Sequence, residues 1–291
     1  MKITRRSQAE LGLLGNAFIW GTTFVVVQGA LSHVSTLLFL CMRFGLAGLI
    51  LLGFYAGKLK RNALLPGMVA GLFLFLGYLF QTAGLKFTTP SKSAFFTSMS
   101  IPMVPLLSSL VYRTRTHLIE LLGVSVATAG MMLMTLQGTT LRFGKGDALT
   151  FLCAIAFALH IVALGHFSGK FDFQTLAVMQ IVTAALLSAG SFWWAEPVQL
   201  QSHRSVWLAV GITGLFATAL AFSVQAWAQQ FTSATRTALI YTLEPVFAWG
   251  TSWLLLGERL PWTAVLGAIL IIAGVLLVEL KPTQAVQHPT G

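Results

Sequence analysis

The stretch Ala238–Gly257, ALIYTLEPVFAWGTSWLLLG, places a glutamate directly before a proline in the middle of an apolar run. The run is as long as a membrane-spanning helix, which needs about 20 mostly apolar residues. A charged side chain at the centre of a bilayer costs about 2.5–3.5 kcal/mol on insertion scales. The stretch therefore predicts a membrane span, and it marks Glu244 as a candidate functional residue.

The composition of the whole chain indicates an integral membrane protein. Of its 291 residues, 56% are hydrophobic and only 9% are charged, and the mean hydropathy is +0.81. A soluble protein has about 25% charged residues, so this chain has too few charges to cover a water-facing surface. Because the apolar runs are long and continuous rather than alternating, we expect an all-α protein surrounded by membrane lipid.

Ten apolar runs are long enough to span a membrane, and the loops between them are too short to hold a soluble domain. The tail Lys281–Gly291 is expected to be disordered. The predicted spans are Leu11–Leu31, Val34–Ala56, Pro66–Phe87, Ser91–Tyr112, Leu118–Gln137, Asp147–Phe167, Phe173–Trp194, Val206–Gln229, Thr235–Gly257 and Trp262–Leu280.

The basic residues predict the orientation of these spans. With the amino terminus inside, the larger share of the 18 Lys and Arg residues falls in inside segments, and Arg43 remains within the second span. This distribution follows the positive-inside rule and predicts an inner (plasma) membrane protein with both termini in the cytoplasm. Because the basic residues are scattered over short loops, we do not expect nucleic acid as a partner.

No motif in the sequence indicates a cofactor, a metal site or an enzyme. Cys41 and Cys153 fall inside predicted helices, so no disulfide framework is expected. The sequence lacks a GxxxxGK[ST] phosphate-binding loop, a zinc motif and a GxSxG nucleophile motif. Neither ATP-driven activity nor catalysis is therefore indicated.

The chain contains an internal repeat with an offset of 144 residues. QTAGLKFTTPSKSAFFTSMS from Gln81 aligns without a gap with QAWAQQFTSATRTALIYTLE from Gln225. We expect a first repeat over residues 1–139 and a second over 140–280, each with five helices, followed by the tail 281–291. An odd number of helices inverts the second repeat, and inverted repeats around a central cavity are a common transporter architecture with a substrate site near the midplane.

The repeat points to side chains that line such a cavity. Tyr241 and Glu244 share one face of the ninth span, and their counterparts Thr97 and Ser100 share a face of the fourth. Buried glutamines, a mid-span histidine and aromatic side chains on other spans are further candidates, because a substrate can supply the partners they need. The alternative for His160 is an ordinary hydrogen bond between helices. The candidate substrate-binding residues are Trp20, Tyr78, Gln81, Thr97, His160, Gln225, Tyr241 and Glu244.

Four further residues have predicted structural roles. Arg43 is an intramembrane charge, and we expect it to be mainly structural, with Glu244 or freed backbone carbonyls as its partner. Pro245 lacks an N–H group, so it is predicted to interrupt the ninth span, and Pro102 and Pro105 do the same in the fourth.

The second half of the chain resembles the EamA-type branch of the drug/metabolite transporter superfamily. The marks of the resemblance are EPVFA at Glu244–Ala248, LGERL at Leu256–Leu260 and GAILIIAG in the tenth span, and NAFIWGTTFV and CMRFGLAG resemble the first repeat. The resemblance covers about residues 8–281, although YRTR at Tyr112–Arg115 departs from the acidic step that is common there. It implies ten helices and a secondary transporter that exports amino acids or related metabolites without ATP, by alternating access.

Other functions remain open on the same fold. A passive pore or facilitator would have the same architecture, as would a permease for sugars, nucleosides or drugs. The expected partners are a small-molecule substrate and membrane lipid. The sequence decides neither proton coupling nor the oligomeric state.

Overall fold

The computed structural model describes residues 4–85, 87–88, 93, 96–113, 116–135, 144–256 and 261–279. These residues are almost entirely helical; they contain one isolated bridge, between Val34 and Leu200, and no strand. The predicted all-α fold is confirmed. The predicted disordered tail Lys281–Gly291 and residues 257–260 of the LGERL motif lie outside the described residues.

The helices follow the predicted spans closely. Two short 3₁₀ turns, Ala56–Lys58 and Arg61–Ala63, connect the second helix to the third. The helices are α1 (Arg5–Leu31), α2 (Thr36–Tyr55), α3 (Leu64–Leu85), α4 (Ser100–Tyr112), α5 (Leu118–Thr135), α6 (Lys145–Ser168), α7 (Phe173–Ala195), α8 (Arg204–Ala228), α9 (Ala234–Tyr241), α10 (Glu244–Leu256) and α11 (Trp262–Glu279).

The length and composition of these helices suit a membrane. The described residues contain 5 helices that are long and apolar enough to cross one, at Thr36–Lys58, Arg61–Gly84, Lys145–Ser168, Phe173–Ala195 and Arg204–Ala228. Large apolar side chains on the outside of the molecule, such as Phe54 and Leu110, are about three-quarters exposed (74% and 76%). Such a surface is stable in lipid and unstable in water. Eight of the ten predicted spans overlap these helices or the shorter apolar helices Phe96–Tyr112, Leu118–Met134 and Trp262–Val278. The first predicted span overlaps α1, and the ninth overlaps α9 and α10.

The connecting segments lie at two opposite ends of the molecule. At one end, Arg236 at the start of α9 forms salt bridges with Glu10 near the start of α1 and with Glu120 near the start of α5. We call this the amino-terminal end. At the other end, the segments after α1 and α7 pair through a backbone hydrogen bond of 2.8 Å from Ser35 to Gln199. Successive helices therefore run in alternating directions.

Helices α5 and α11 pack so closely that glycine is required at the contact. A Cβ atom on Gly123 would lie 2.8 Å from the Gly274 carbonyl oxygen, and one on Gly130 would lie 2.5 Å from the Gly267 carbonyl oxygen. The two helices are antiparallel, because the residue number rises along one as it falls along the other. At the repeat offset of 144 residues, Gly123 corresponds to Gly267 and Gly130 to Gly274, so the two contacts are equivalent by the repeat.

Most of the remaining packing also joins the first half of the chain to the second. Helix α2 packs against α7 and α8, α3 against α6 and α7, α1 against α8, α9 and α10, and α4 against α6 and α9. Small residues allow the closest approaches, as at Gly71, which lies against the backbone of Gln180. Such contacts are the usual basis of helix association in membranes, where lipid removes the hydrophobic driving force.

Candidate substrate-binding site

The ninth span is interrupted in its middle, as Pro245 predicts. After α9, the Thr242 and Leu243 N–H groups donate to the carbonyls three residues earlier, Leu239 and Ile240, each at 3.1 Å. Pro245 has no N–H group with which to continue the helical ladder. A new helix, α10, therefore begins at Glu244, halfway through the span.

The fourth span shows a similar interruption at the equivalent position. A turn at Met99, whose N–H donates to the Phe96 carbonyl at 3.2 Å, precedes α4, which begins at Ser100. At the repeat offset, Met99 corresponds to Leu243 and Ser100 to Glu244. Two helix amino termini therefore lie at matching positions inside the bundle. Their partial positive charge favours a nearby anion, and interrupted helices of this kind surround the substrate sites of many transporters.

Glu244 lies half-buried in the first turn of α10. Its carboxylate is within electrostatic range of the Arg43 guanidinium and of the Tyr78 and Tyr241 hydroxyl groups. None of the described residues donates a hydrogen bond to it. A carboxylate with cationic and hydroxyl groups nearby, but with no hydrogen-bond donor among the described residues, can accept a hydrogen bond from a bound molecule.

Two groups of aromatic rings include Tyr241 and Tyr78, whose hydroxyl groups are within electrostatic range of Glu244. The Trp20 ring lies 4.8 Å from the Tyr241 ring and 5.5 Å from the Phe222 ring, measured between centroids. In the second group, the Tyr78 ring meets the Phe157 ring edge to face at 5.3 Å. Trp20, Tyr78 and Phe157 are only partly buried although each contacts other helices. This combination is typical of walls around an open space, which an apolar or planar group can fill.

Arg43 is held by α8 rather than by a salt bridge to Glu244. Its Nε donates to Thr218 Oγ1 at 2.6 Å, and its Nη2 donates to the Ala217 carbonyl at 3.2 Å and to the Tyr78 hydroxyl at 3.3 Å. The guanidinium also lies over the Tyr78 ring, 5.1 Å from its centroid. Of the two kinds of partner expected for Arg43, the structure shows the backbone carbonyl.

The middle of α8 is a π-helical segment, Thr213–Leu220, which the sequence did not reveal. The Ala217 carbonyl in this segment accepts from both Trp20 Nε1, at 2.8 Å, and Arg43. Just beyond it, the Ala221 carbonyl accepts from Asn16 Nδ2 at 2.7 Å. Single π turns are rare and are frequent at functional sites. The equivalent residues 69–76 of α3 form a regular α-helix, so the repeat is not symmetric here.

Gln81 and Thr97 lie together next to the aromatic wall. Gln81 Nε2 donates to Thr97 Oγ1 at 3.4 Å, and Thr97 Oγ1 lies 3.8 Å from Cys153 Sγ. Gln81 follows Tyr78 by one turn of α3, and Cys153 precedes Phe157 by one turn of α6. These polar groups are therefore an extension of the site toward the end opposite the amino terminus.

His160 lies behind the aromatic wall and is fully buried. Its Nε2 is 2.8 Å from Gln180 Oε1, and its ring meets the Phe222 ring edge to face at 5.8 Å. Gln180 Nε2 in turn donates to the Phe222 carbonyl at 3.4 Å. This arrangement joins α6, α7 and α8 and is the hydrogen bond between helices that the sequence left as an alternative.

Gln225 lies apart from the group around Glu244. It is 1% exposed, and its Nε2 donates to Gln229 Oε1 at 3.4 Å. Gln229 donates onward to the Ile161 carbonyl at 3.0 Å. The structure thus brings together Trp20, Tyr78, Tyr241 and Glu244 with Arg43, adds Gln81 and Thr97 beside them, and places Gln225 closer to the amino-terminal end.

The two halves of the ninth span differ sharply in packing. Every residue of α9 is buried between α1, α4, α5, α6 and α11, whereas no described side chain of α10 is buried. Because α9 lies on the amino-terminal side of Glu244, the site is closed toward that end. Toward the opposite end, α10 packs mainly along α1.

The described residues contain no group of three His, Cys, Asp or Glu that could hold a metal ion, and both cysteines are free thiols. The polar chemistry of the site therefore comes from one carboxylate, one guanidinium, hydroxyl groups and indole and amide N–H groups.

Two kinds of comparison relate the chain to known transporters. The model of the EamA-like transporter family matches residues 7–136 and again residues 144–280. An "Uncharacterized transporter" of Archaeoglobus fulgidus is 35% identical over 277 residues, 95% of this chain and 87% of its own. The "Uncharacterized inner membrane transporter YedA" of Escherichia coli is 25% identical over 297 residues, 96% of this chain and 97% of its own.

A solved structure has the same fold. A chain titled "Crystal structure of protein" superposes with a TM-score of 0.81 at 18% identity, over 94% of this chain and 97% of its own. Together, the family match and the relatives show a membrane transporter: the chain belongs to the EamA-like transporter family.

Proposed function

We propose that the protein is a secondary transporter that exports amino acids or closely related small metabolites from the cytoplasm by alternating access. The observation that carries this proposal is the Glu244 carboxylate, which begins a helix in the middle of a span and accepts no hydrogen bond from the described residues. Both termini would lie in the cytoplasm, in the inner membrane.

The groups around Glu244 match the parts of an amino acid. The carboxylate can bind an ammonium group, and the Trp20 and Tyr241 rings beside it favour a cation by the same electrostatics. The amino terminus of α4 at Ser100 favours a carboxylate. The rings of Tyr78 and Phe157 suit an apolar side chain.

Alternating access is supported by the repeat. The family model matches twice along the chain. The antiparallel helices α5 and α11 form two glycine contacts that are equivalent at the offset of 144 residues. We therefore propose that residues 1–139 and 140–280 form inverted halves. Rocking of inverted halves around a fixed site is the usual mechanism of such transporters.

We assign any proton coupling to Glu244 rather than to His160. His160 is fully buried and engaged with Gln180, whereas the Glu244 side chain is only half-buried. A proton carrier must exchange its proton with water in at least one state, and an intramembrane carboxylate that is not fully buried can do so.

Counterflow in proteoliposomes tests the proposed function. Vesicles loaded with a mixed pool of unlabelled amino acids receive one labelled amino acid at a time, with protein-free vesicles as the control. Transient accumulation of one label, saturable and reduced by a competitor, supports a carrier and names its substrate. Entry that neither saturates nor overshoots would instead indicate a pore. If no amino acid accumulates, the substrate proposal is wrong, and sugars, nucleosides and cationic drugs are the next compounds to test in the same assay.

A further inference from the structure

A second cluster of charged groups lies at the amino-terminal end, outside the site around Glu244. Arg236 is 4% exposed at the start of α9. Its Nη1 is 3.5 Å from Glu10 Oε1 of α1, and its Nε is 3.8 Å from Glu120 Oε1 of α5. Its Nη2 donates to the Val278 carbonyl of α11 at 3.4 Å. We call these residues the Arg236 cluster.

The position of Arg236 is unfavourable unless it has partners. A cation at the amino terminus of a helix opposes the helix dipole, and a buried guanidinium without anionic partners would be strongly destabilising. Glu10 and Glu120 supply the compensating charges, and Glu10 also accepts from Arg6 Nε at 2.7 Å. The cluster therefore holds α9 against α1, α5 and α11.

The cluster covers the closed side of the site. Between Arg236 and Tyr241, α9 contributes Ala238, Leu239 and Ile240 to a buried core that also includes Leu13 of α1 and Val104 of α4. This core separates Glu244 from the amino-terminal end. A substrate that leaves toward that end must pass between helices that the Arg236 cluster joins.

We propose that the Arg236 cluster is the gate of the amino-terminal end, a set of ion pairs that forms in the closed state and separates when the site opens to that side. The proposal rests on alternating access in the proposed function. Ion pairs suit this task because the desolvation of buried charges offsets much but not all of their attraction, so the closed state keeps a small net advantage that depends on the pairs. The open state, in which water hydrates each charge, can then lie close in free energy to the closed state.

The test measures access to the closed core and requires no substrate. In a variant without Cys41 and Cys153, Ala238→Cys places a thiol in the core below the cluster, where Ala238 is fully buried. A membrane-impermeant maleimide is applied from the amino-terminal side of oriented vesicles. The Glu10→Gln/Glu120→Gln/Arg236→Gln triple variant removes the ion pairs without leaving one buried charge alone. The control, Lys60→Gln, removes an exposed cation at the same end.

We expect the triple variant to raise the labelling rate at position 238 by about tenfold or more, because loss of the ion pairs shifts the population toward the open state. The Lys60→Gln control should label as slowly as the parent. Equal labelling rates of the triple variant and the parent would overturn the proposal, provided that thermal denaturation curves show both proteins to be folded. Rapid labelling of the parent would do so too. Failure of amino acid counterflow would not change this result, so the two proposals can fail separately.

Discussion

At the scale of single residues, the site is defined by the different surroundings of two intramembrane charges. Arg43 has hydrogen bonds to Thr218, to the Ala217 carbonyl and to Tyr78, whereas the Glu244 carboxylate receives none from the described residues. The first pattern is that of a structural group, and the second is that of a group kept available for a ligand. This contrast supports the separate roles that the sequence suggested.

We predict that Arg43→Gln lowers the stability of the protein, because it removes charge-assisted hydrogen bonds that are worth about 1.5–3 kcal/mol. Thermal denaturation in detergent measures the effect as a fall in the midpoint. Thr218→Val is the matched variant, because it removes one acceptor and leaves the other two, so a smaller fall is expected. An unchanged midpoint for Arg43→Gln would contradict the structural role of this residue.

The sequence selected polar and aromatic residues that the structure brings together, but it did not show how they are paired. Offset and helical spacing selected Trp20, Tyr78, Tyr241 and Glu244, which do come together. Spacing along a helix cannot show which carbonyl a distant side chain reaches. The sequence could therefore suggest a backbone carbonyl as a partner of Arg43, but it could not identify that carbonyl as the one of Ala217. Thr218 was missed, although its alignment with the apolar Leu74 marks it as a polar exception in the repeat.

At the scale of helices, the site depends on interruptions in three spans. The break before Glu244 was predictable from Pro245, which cannot donate to the helical ladder. The π-helical segment Thr213–Leu220 was not, because TGLFATAL contains no helix-breaking proline and its geometry depends on packing against α1 and α2. Trp20 of α1 and Arg43 of α2 both donate hydrogen bonds to the Ala217 carbonyl, and these bonds hold the π-helical segment in place.

The close contact between α1 and α10 leads to a second prediction. A Cβ atom on Gly21 would lie 2.6 Å from the Glu244 carbonyl oxygen and 2.9 Å from the Ala248 nitrogen. Gly21→Ala must therefore push the start of α10 away, at a cost of about 1–3 kcal/mol. We expect a lower denaturation midpoint and slower transport.

A control for that prediction is available in the same helix. Nothing lies within 4 Å of a Cβ atom built on Gly15, so Gly15→Ala should leave stability and transport close to the wild-type values. Equal effects of the two substitutions would show that the contact between α1 and α10 does not hold the site.

At the scale of the whole molecule, the fold was largely predictable, because each span is a long apolar run and membrane-spanning helices satisfy their own backbone hydrogen bonds. The contacts between the two halves of the chain were less predictable. The repeat offset shows that Gly123 is equivalent to Gly267 and Gly130 to Gly274. Only the structure shows that Gly123 contacts Gly274 and that Gly130 contacts Gly267. The burial of α9 and the exposure of α10 also depend on packing that the sequence does not display.

The proposed orientation can be tested by labelling from one side of the membrane. In a variant without Cys41 and Cys153, Lys60→Cys places a thiol on the connection between α2 and α3, and Gln201→Cys places one on the connection between α7 and α8. Both positions are exposed and lie at opposite ends. An impermeant maleimide should label position 201 in intact cells and position 60 only after permeabilisation. The reverse pattern would place the termini outside.

The central claim is that Glu244 binds the substrate or the coupling proton, and counterflow with purified Glu244→Gln tests it most directly. The amide keeps the size of the side chain and removes its charge, so thermal denaturation should show a folded protein. We predict that exchange of the labelled substrate falls by about tenfold or more, because a charge-assisted hydrogen bond of about 1.5–3 kcal/mol is lost. If Glu244 carries only the proton, exchange should survive, and movement driven by a pH gradient should be lost. Wild-type rates in both assays would contradict the account.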